Sequence, residues 1–167
     1  NTGLDYGKNR ARLSWYVIDN SVFYDRTYTG RPKNVDNEEL SKNSVRQVLQ
    51  TELFPNMDIE TGTQTNISVL NLAYYPEERG PYNYDVNPSP YSAGINEEGK
   101  LNDPKSRWGG IMRKMESIDF EATNIEYIEF WMMDPFADEE FQNNPGKLYI
   151  NLGDISEDIL RDGRKFY

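Results

Sequence analysis

Alternating apolar and polar positions predict two strands in the first half of the chain. From residue 10 to residue 18, every second residue is apolar and the residues between them are mostly polar. This period of two is typical of a strand that turns one face towards a core. Residues 65–75 are rich in β-branched and aliphatic side chains and lead into the pair Tyr74 and Tyr75. We predict one strand in each of these segments.

Residues 38–54 carry apolar side chains at helical spacing. Asp36 or Asn37 precedes the segment, where a short polar side chain caps a helix, and Pro55 follows it, where proline ends one. The spacing predicts one amphipathic helix between these two signals. Its apolar face consists of Val45, Val48, Leu49 and Leu53.

The second half of the chain has the stronger strand patterns. Residues 108–115, 124–133 and 148–152 have the composition and spacing of strands. The segment 124–133 carries apolar side chains on both faces, which is typical of a central strand. Asp154 at an N-cap position and Glu157 three residues later predict a short helix at 154–160. The predicted core face of the central strand consists of Ile128, Phe130 and Met132.

Short strands with one or two short helices predict a mainly-β fold. Long polar loops between antiparallel strands favour a β-sandwich of the jelly-roll kind, and residues 125–133 and 148–153 resemble those of galactose-binding-like sandwiches. At 167 residues the chain has the length of one domain, so we expect a single soluble sandwich domain over residues 1–167. The tryptophans of the strand-like segments are expected to fill its interior: Trp15, Trp108 and Trp131.

Residues 74–83 combine turn formers, aromatic rings and one arginine directly after a predicted strand. Two prolines restrict the backbone and a glycine permits a reversal between them, so we expect a stiff loop. Irregular structure is predicted for the whole of residues 76–105. Tyrosine and arginine are common in binding surfaces. The candidate binding residues are therefore Tyr74, Tyr75, Arg79, Tyr82 and Tyr84.

Several interpretations of these residues are open at this point. The aromatic rings pack under their own loop, contact another protein, or stack against a sugar ring. Arg79 either ties the loop to Glu77, Asp85 or a backbone carbonyl, or it reaches a neighbouring domain.

Composition removes most catalytic classes. The chain contains neither cysteine nor histidine, which excludes Ser–His and Cys–His nucleophile pairs and the usual zinc sites within this sequence. Carboxylates remain, but 28 acidic residues make neighbouring pairs commonplace. A calcium site at Asp134 and Asp138 lacks the spacing of an EF-hand loop. We predict that the chain is not an enzyme and has no catalytic residue, no metal and no cofactor.

The charge balance bears on possible partners. The chain has 18 basic and 28 acidic residues, which gives a net charge of −10. This charge repels phosphate backbones, so we expect no nucleic-acid partner. No run of 18 apolar residues indicates a membrane-spanning helix.

Five stretches of the sequence stand out together. They read NRARLSWYVID (9–19), LAYYPEERGPYN (72–83), WGGIMR (108–113), DFEATNIEYIEFW (119–131) and LGDISEDILRDGRKFY (152–167). They cover much of the chain, and they resemble the SprA/Sov family of Bacteroidetes. Proteins of this family are gliding-motility proteins that form the outer-membrane translocon of the type IX secretion system.

The resemblance implies a part of a much longer protein. The family's translocon is a very large β-barrel, whereas this chain lacks the repeated lipid-facing strands of a barrel. We therefore expect one soluble domain of such a protein, a non-enzymatic interaction or scaffold domain that supports protein export and gliding motility.

The same resemblance implies partners and a location. The expected partners are other domains of the same long chain and other secretion-system proteins, with membrane contact only through the parent barrel. The expected location is the cell envelope, in association with the outer membrane, on its periplasmic or cell-surface side. A carbohydrate-binding module on a β-sandwich is the alternative function, so a glycan remains a possible ligand.

Overall fold

The computed structural model describes residues 4–63, 65–117, 119–137 and 146–153. Within these ranges the chain is mainly β, with short helices and antiparallel strand pairs, as the sequence predicts. The strands are β1 (Ala11–Val17), β2 (Val48–Leu49), β3 (Asn66–Ile67) and β4 (Leu70–Arg79), and the α-helices are α1 (Asn37–Ser41) and α2 (Gln50–Leu53). Two 3₁₀ turns span Leu4–Asn9 and Pro104–Ser106.

The described residues form two compact units. The first unit holds residues 4–15, 72–116 and 149–153, and the second holds residues 16–63, 65–71, 117, 119–137 and 146–148. Each unit is described below by its own contacts.

Strands β1 and β4 form one two-stranded sheet. The amide of Gly80 donates to the carbonyl of Arg10 at 3.0 Å, while the side chain of Asn71 donates to the carbonyl of Tyr16 at 3.4 Å. The start of β1 therefore meets the end of β4, which is an antiparallel arrangement. The predicted strand at residues 10–18 is confirmed.

Strand β4 extends further than the sequence predicts. It continues through Tyr74 and Pro76 to Arg79, so the prediction of a loop from residue 74 or 76 was wrong for this part. Among the described residues, β1 is the one strand that pairs with β4, so β4 is an edge strand, where a proline without an amide hydrogen is tolerated.

The second sheet pairs β2 with β3. Val48 lies opposite Ile67 and Leu49 lies opposite Asn66, in antiparallel register. The prediction of one helix over residues 38–54 was wrong, because the chain leaves the helix after Ser41 and forms β2 before α2.

The break in the predicted helix has a local cause. Helix α1 starts as predicted, since the carboxylate of Asp36 accepts hydrogen bonds from the amides of Glu38 and Glu39. The residues that follow it are Lys42, Asn43, Ser44 and Val45, and three of these four have modest helix propensity. The apolar spacing beyond them is used instead by a short strand.

Three other strand predictions were wrong in the described structure. Residues 108–115, 124–133 and 148–152 form no strand there, apart from a single bridge between Trp108 and Arg10. An alternating segment becomes a strand only when another backbone meets its amide and carbonyl groups. The helix predicted at 154–160 lies outside the described residues.

The expected apolar core was also wrong at several positions. The side chains predicted to form the central core face, Ile128, Phe130 and Met132, are all more than half exposed. Trp15 and Trp131 are about two thirds exposed rather than interior.

Among the described residues, the buried side chains include four polar residues and three apolar ones. The buried apolar residues are Ala11, Leu40 and Leu101, and the buried polar residues are Asn83, Asp85, Ser92 and Arg107. All four polar residues belong to the first unit, and they lie beside the candidate site.

Candidate functional site

The candidate site is a surface of the first unit where arginine side chains lie against aromatic rings. The guanidinium carbon of Arg10 lies 4.9 Å from the centre of the Trp108 ring, and that of Arg12 lies 5.1 Å from the centre of the Tyr75 ring. Both distances permit cation–π attraction. We call this surface the arginine–aromatic face, and it consists of Arg10, Arg12, Tyr75, Glu78 and Trp108.

Glu78 orients the guanidinium of Arg12. The Oε2 atom of Glu78 accepts a hydrogen bond from Nη1 of Arg12 at 2.7 Å. Both side chains are about half exposed, and exposed pairs of this kind contribute only about 0–1 kcal/mol to stability. The pair therefore fixes a direction more than it stabilises the fold. The face presents a cation, an anion and the ring of Tyr75 to the surroundings.

A buried arginine directly precedes Trp108 in the chain. The side chain of Arg107 is fully buried. Its Nη1 donates to the carbonyl of Lys8 at 3.0 Å and to the hydroxyl of Ser92 at 2.8 Å, and its Nε donates to the carbonyl of Asn102 at 2.8 Å. Nη2 donates to the same carbonyl of Asn102. All three guanidinium nitrogens thus have partners.

Asp85 and Asn83 complete this buried group. A carboxylate oxygen of Asp85 lies 3.8 Å from Nη1 of Arg107 and accepts the hydroxyl hydrogen of Ser92. The side chain of Asn83 donates to the carbonyls of Lys8 at 2.9 Å and Arg10 at 2.7 Å, and it accepts from the amide of Asp85 at 2.9 Å. We call the four buried side chains the Arg107 cluster: Asn83, Asp85, Ser92 and Arg107.

The Arg107 cluster holds the backbone beneath the face in position. It binds the carbonyls of residues 8 and 10, at the start of the segment that carries Arg10 and Arg12. A buried charge with hydrogen-bonded partners is stable, whereas removing one partner leaves the other unpaired at high cost. The Oδ2 atom of Asp85 faces the guanidinium of Arg107 and accepts from Ser92, so the cluster supports the face.

Gly80 closes the end of the β1–β4 ladder. A Cβ atom at this position would lie 2.4 Å from the carbonyl oxygen of Ala11 and 2.8 Å from its carbon. Two backbones pass too closely here for any side chain, which is a common reason for glycine at the end of a strand. The reversal predicted at this glycine is present, but it begins after β4 rather than inside a long loop.

The structure places the two adjacent candidate tyrosines in different surroundings. Tyr74 lies against Gly109, where an added Cβ would meet its ring at 3.0 Å and the Cβ of Leu13 at 3.0 Å. Tyr75 lies under Arg12 instead. Consecutive strand residues point to opposite faces, so these two rings do not form one platform.

Burial also changes the chemistry of Tyr74. Burial raises the pKa of the Tyr74 hydroxyl, and the positive charge of Arg107 opposes this rise in part. The hydroxyl therefore stays protonated around neutral pH and can take part in hydrogen bonds as a neutral group.

The other three candidate residues lie at or after the end of β4. Nη1 of Arg79 donates to the carbonyl of Asp85 at 3.4 Å, which is an internal tie of the kind predicted for it. Tyr82 has a left-handed backbone with φ of 59° and is about half exposed. Tyr84 is 78% exposed, which makes its ring the most accessible of the four candidate tyrosine rings.

Sequence reasoning missed the Arg107 cluster. One local signal was available: Asn83 and Asp85 are two residues apart, the spacing at which an asparagine side chain accepts a hydrogen bond from a following amide. The remaining partners are distant in sequence, such as Lys8 and Ser92, and no pattern along the chain connects them to Arg107.

The acidic side chains around Asp134 and Asp138 are the residues considered for a calcium site. In the part of the chain that the structure describes, no three acidic side chains gather closely enough to hold a metal ion. Asp134 accepts a hydrogen bond from the amide of Phe136 at 2.9 Å, whereas Asp138 lies outside the described residues. Across residues 4–63, 65–117, 119–137 and 146–153, no helix has the length and apolar character needed to span a membrane.

Neither a protein-family model nor a curated protein matches the chain. The resemblance to the SprA/Sov family therefore rests on the five sequence stretches alone.

Proposed function

We propose that this chain is a non-enzymatic interaction domain of a type IX secretion translocon of the SprA/Sov kind. The observation that carries this proposal is the arginine–aromatic face. It draws its residues from three of the five stretches that resemble the family: Arg10 and Arg12 from the first, Tyr75 and Glu78 from the second, and Trp108 from the third. Stretches far apart in sequence thus contribute to one exposed surface.

The chemistry of the face suits protein recognition. Arginine, tyrosine and tryptophan are the residue types that most often contribute strongly to protein interfaces. The guanidinium of Arg12 is held by an exposed glutamate at 2.7 Å, and a carboxylate of a partner is able to share its remaining donors. Because the Arg107 cluster fixes the backbone below, little ordering entropy is lost when a partner binds.

The proposed partners follow from the proposed family. They are other domains of the same long chain and other proteins of the secretion system, in the cell envelope at the outer membrane. In this role the domain performs no reaction, and it holds neighbouring parts of the translocon in register.

The finer architecture belongs to the same proposal. We propose an antiparallel β-sandwich of the jelly-roll or galactose-binding-like kind, in which residues 124–133 and 148–152 become strands when neighbouring protein supplies their hydrogen-bonding partners. Their alternating apolar side chains support this idea. Hydrogen exchange tests it: amides of residues 125–133 should be protected in the assembled translocon and exchange quickly in this chain alone.

The functional test replaces two residues of the face in the full-length translocon. A variant with Arg12→Ala and Tyr75→Ala should impair protein secretion. The free energy of unfolding of this chain should change by no more than about 1 kcal/mol, since the side chains are exposed. The control is Arg26→Ala, which removes an exposed arginine of the second unit. Normal secretion with the double variant would contradict the proposal.

A carbohydrate-binding module is the second candidate function. The favouring observation is the exposed ring of Tyr84, which a sugar can stack against. The ring of Tyr75 is less suited, because Arg12 lies over it. Calorimetric titration with a panel of defined oligosaccharides separates the two functions. Millimolar or tighter binding that is lost in Tyr84→Ala, with the fold intact, would favour the carbohydrate module.

A further inference from the structure

The second unit contains an apolar groove that is separate from the arginine–aromatic face. The groove has a volume of about 580 Å³, which falls within the roughly 300–1,000 Å³ of typical ligand sites. Its apolar lining includes Ile18, Val22, Phe23, Val35 and Val45. An apolar surface of this size loses unfavourable contact with water when another apolar group covers it.

Hydrogen bonds fix the walls of the groove. The side chain of Asn20 donates to the carbonyl of Ile67 at 3.0 Å, and the backbone carbonyl of Asn20 accepts from the side chain of Gln47 at 3.0 Å. The hydroxyl of Tyr24 donates to the carbonyl of Val45. These bonds join segments 20–24 and 45–47, which both contribute to the lining or lie beside it. The groove is thus formed before any occupant arrives.

The charged groups in the lining are acidic. Asp19 and Glu39 are the two charged residues that line the groove, and no lysine or arginine does so among the described residues. Glu39 is paired with Lys42 at 2.6 Å. Asp19 accepts hydrogen bonds from the amide and hydroxyl of Ser21 at 2.7 and 2.6 Å, and these bonds leave its negative charge in place.

The hydrogen bonds also keep Asp19 ionised. The hydroxyl of Ser21, followed by its amide, lowers the pKa of the Asp19 carboxyl below its ordinary value. A carboxylate at the edge of an apolar groove attracts a cation and repels an anion. The net charge of −10 acts in the same direction over longer distances.

We propose that this groove binds a short segment of a partner protein that presents apolar side chains next to lysine or arginine. The apolar lining takes the apolar side chains, and Asp19 pairs with the basic one. Valine and phenylalanine side chains suit a peptide whose alternate or helically spaced residues insert as anchors. The inference does not depend on the secretion-system proposal, because it concerns another surface.

Asp19→Asn isolates the charge. Asparagine retains the Oδ1 acceptor, so the turn at Ser21 and Val22 keeps its hydrogen bonds while the charge is lost. Asp25→Asn is a matched control. Asp25 accepts from the amide and hydroxyl of Thr27 in the same way, but it does not line the groove.

The probes are two synthetic six-residue peptides, one alternating lysine with leucine and one alternating glutamate with leucine. Binding to the 167-residue chain is followed by backbone amide chemical shifts. The lysine peptide should shift the amides of Ile18, Val22 and Val45, and the glutamate peptide should not. Asp19→Asn should weaken binding of the lysine peptide by about threefold to fivefold, the effect of one accessible ion pair near the upper end of the usual range, and Asp25→Asn by less than about twofold.

A second pair of variants tests the apolar half of the proposal. Val22→Ser should weaken binding by about threefold to fivefold, since it replaces the two methyl groups of a partly exposed side chain by one hydroxyl, and Val69→Ser outside the lining should not. Equal binding of the two peptides, equal effects of the two aspartate variants, or shifts confined to residues outside the groove would each overturn the proposal. So would a Val22→Ser variant that binds as well as the unmodified chain.

Discussion

Residues 80–108 and residues 124–133 differ in burial, and the difference is the opposite of what their compositions suggest. The first segment is rich in proline, glycine and polar residues, yet it contains all four side chains of the Arg107 cluster and the buried Leu101. The second has a strong alternating apolar pattern, yet Phe130 is 56% exposed and Trp131 is 69% exposed. The polar segment is the better packed of the two.

The difference teaches that burial follows the partners available to a segment. In residues 80–108 the four side chains of the Arg107 cluster meet complementary groups, as the guanidinium of Arg107 meets the carbonyl of Lys8, so their desolvation is compensated. Residues 124–133 have apolar side chains, but in the described structure no strand pairs with them. Hydrophobicity makes burial favourable without supplying the surface that buries it.

The largest effect is expected at Arg107. Arg107→Met should lower the free energy of unfolding by about 3–5 kcal/mol, because it leaves the buried charge of Asp85 without its partner. Urea unfolding measures the loss. The exposed Arg12→Met is the control and should cost about 1 kcal/mol or less. Similar losses for both variants would mean that the polar segment is not the better packed region.

A smaller loss is expected at Gly80. Gly80→Ala should lower the free energy of unfolding by about 1–3 kcal/mol, because the new Cβ would meet the carbonyl of Ala11 at 2.4 Å and force the strands apart. Gly110→Ala has its nearest neighbour at 3.7 Å and should be nearly neutral. Thermal unfolding of the two variants under one condition compares them, and an equally stable Gly80→Ala would refute the close approach.

A change in the apolar segment should cost little in this chain alone. Phe130→Ala should lower the free energy of unfolding by less than about 1 kcal/mol, since its side chain is more than half exposed. The sequence pattern by itself predicts a loss of about 3–5 kcal/mol, which is the value for a buried phenylalanine. Chemical denaturation distinguishes the two values, and a loss in the larger range would show that residues 124–133 are packed in solution.

The smallest expected effect is the dependence of stability on alkaline pH, which tests the burial of Tyr74 in the first unit. Burial raises the pKa of Tyr74 in the folded state, so above about pH 10 the unfolded chain loses this proton before the folded chain does. The unfolded state then binds fewer protons, and stability falls as pH rises. Tyr74→Phe should reduce this fall and leave the stability difference from the unmodified chain constant between pH 7 and 9. An unchanged alkaline fall would contradict the burial of Tyr74.

Groups that are close together in the sequence were sufficient to predict a few features of the structure. The period-two alternation of residues 10–18 predicted β1, and Asp36 predicted the start of α1, because both depend on groups a few residues apart. The tyrosines and Arg79 of residues 74–84 were recognisable as unusual for the same reason. The absence of histidine and cysteine was likewise a property of the sequence alone.

Tertiary structure alone decided which of these groups meet. No pattern along the chain links Arg12 to Tyr75, Arg107 to Lys8, or Gly80 to Ala11, since each contact joins residues more than 60 positions apart. It also decided that residues 48–49 form a strand opposite β3 rather than part of a helix, and that residues 124–133 stay exposed. Periodicity states which side of a segment prefers burial, whereas the partner that provides it is fixed only when distant parts of the chain come together.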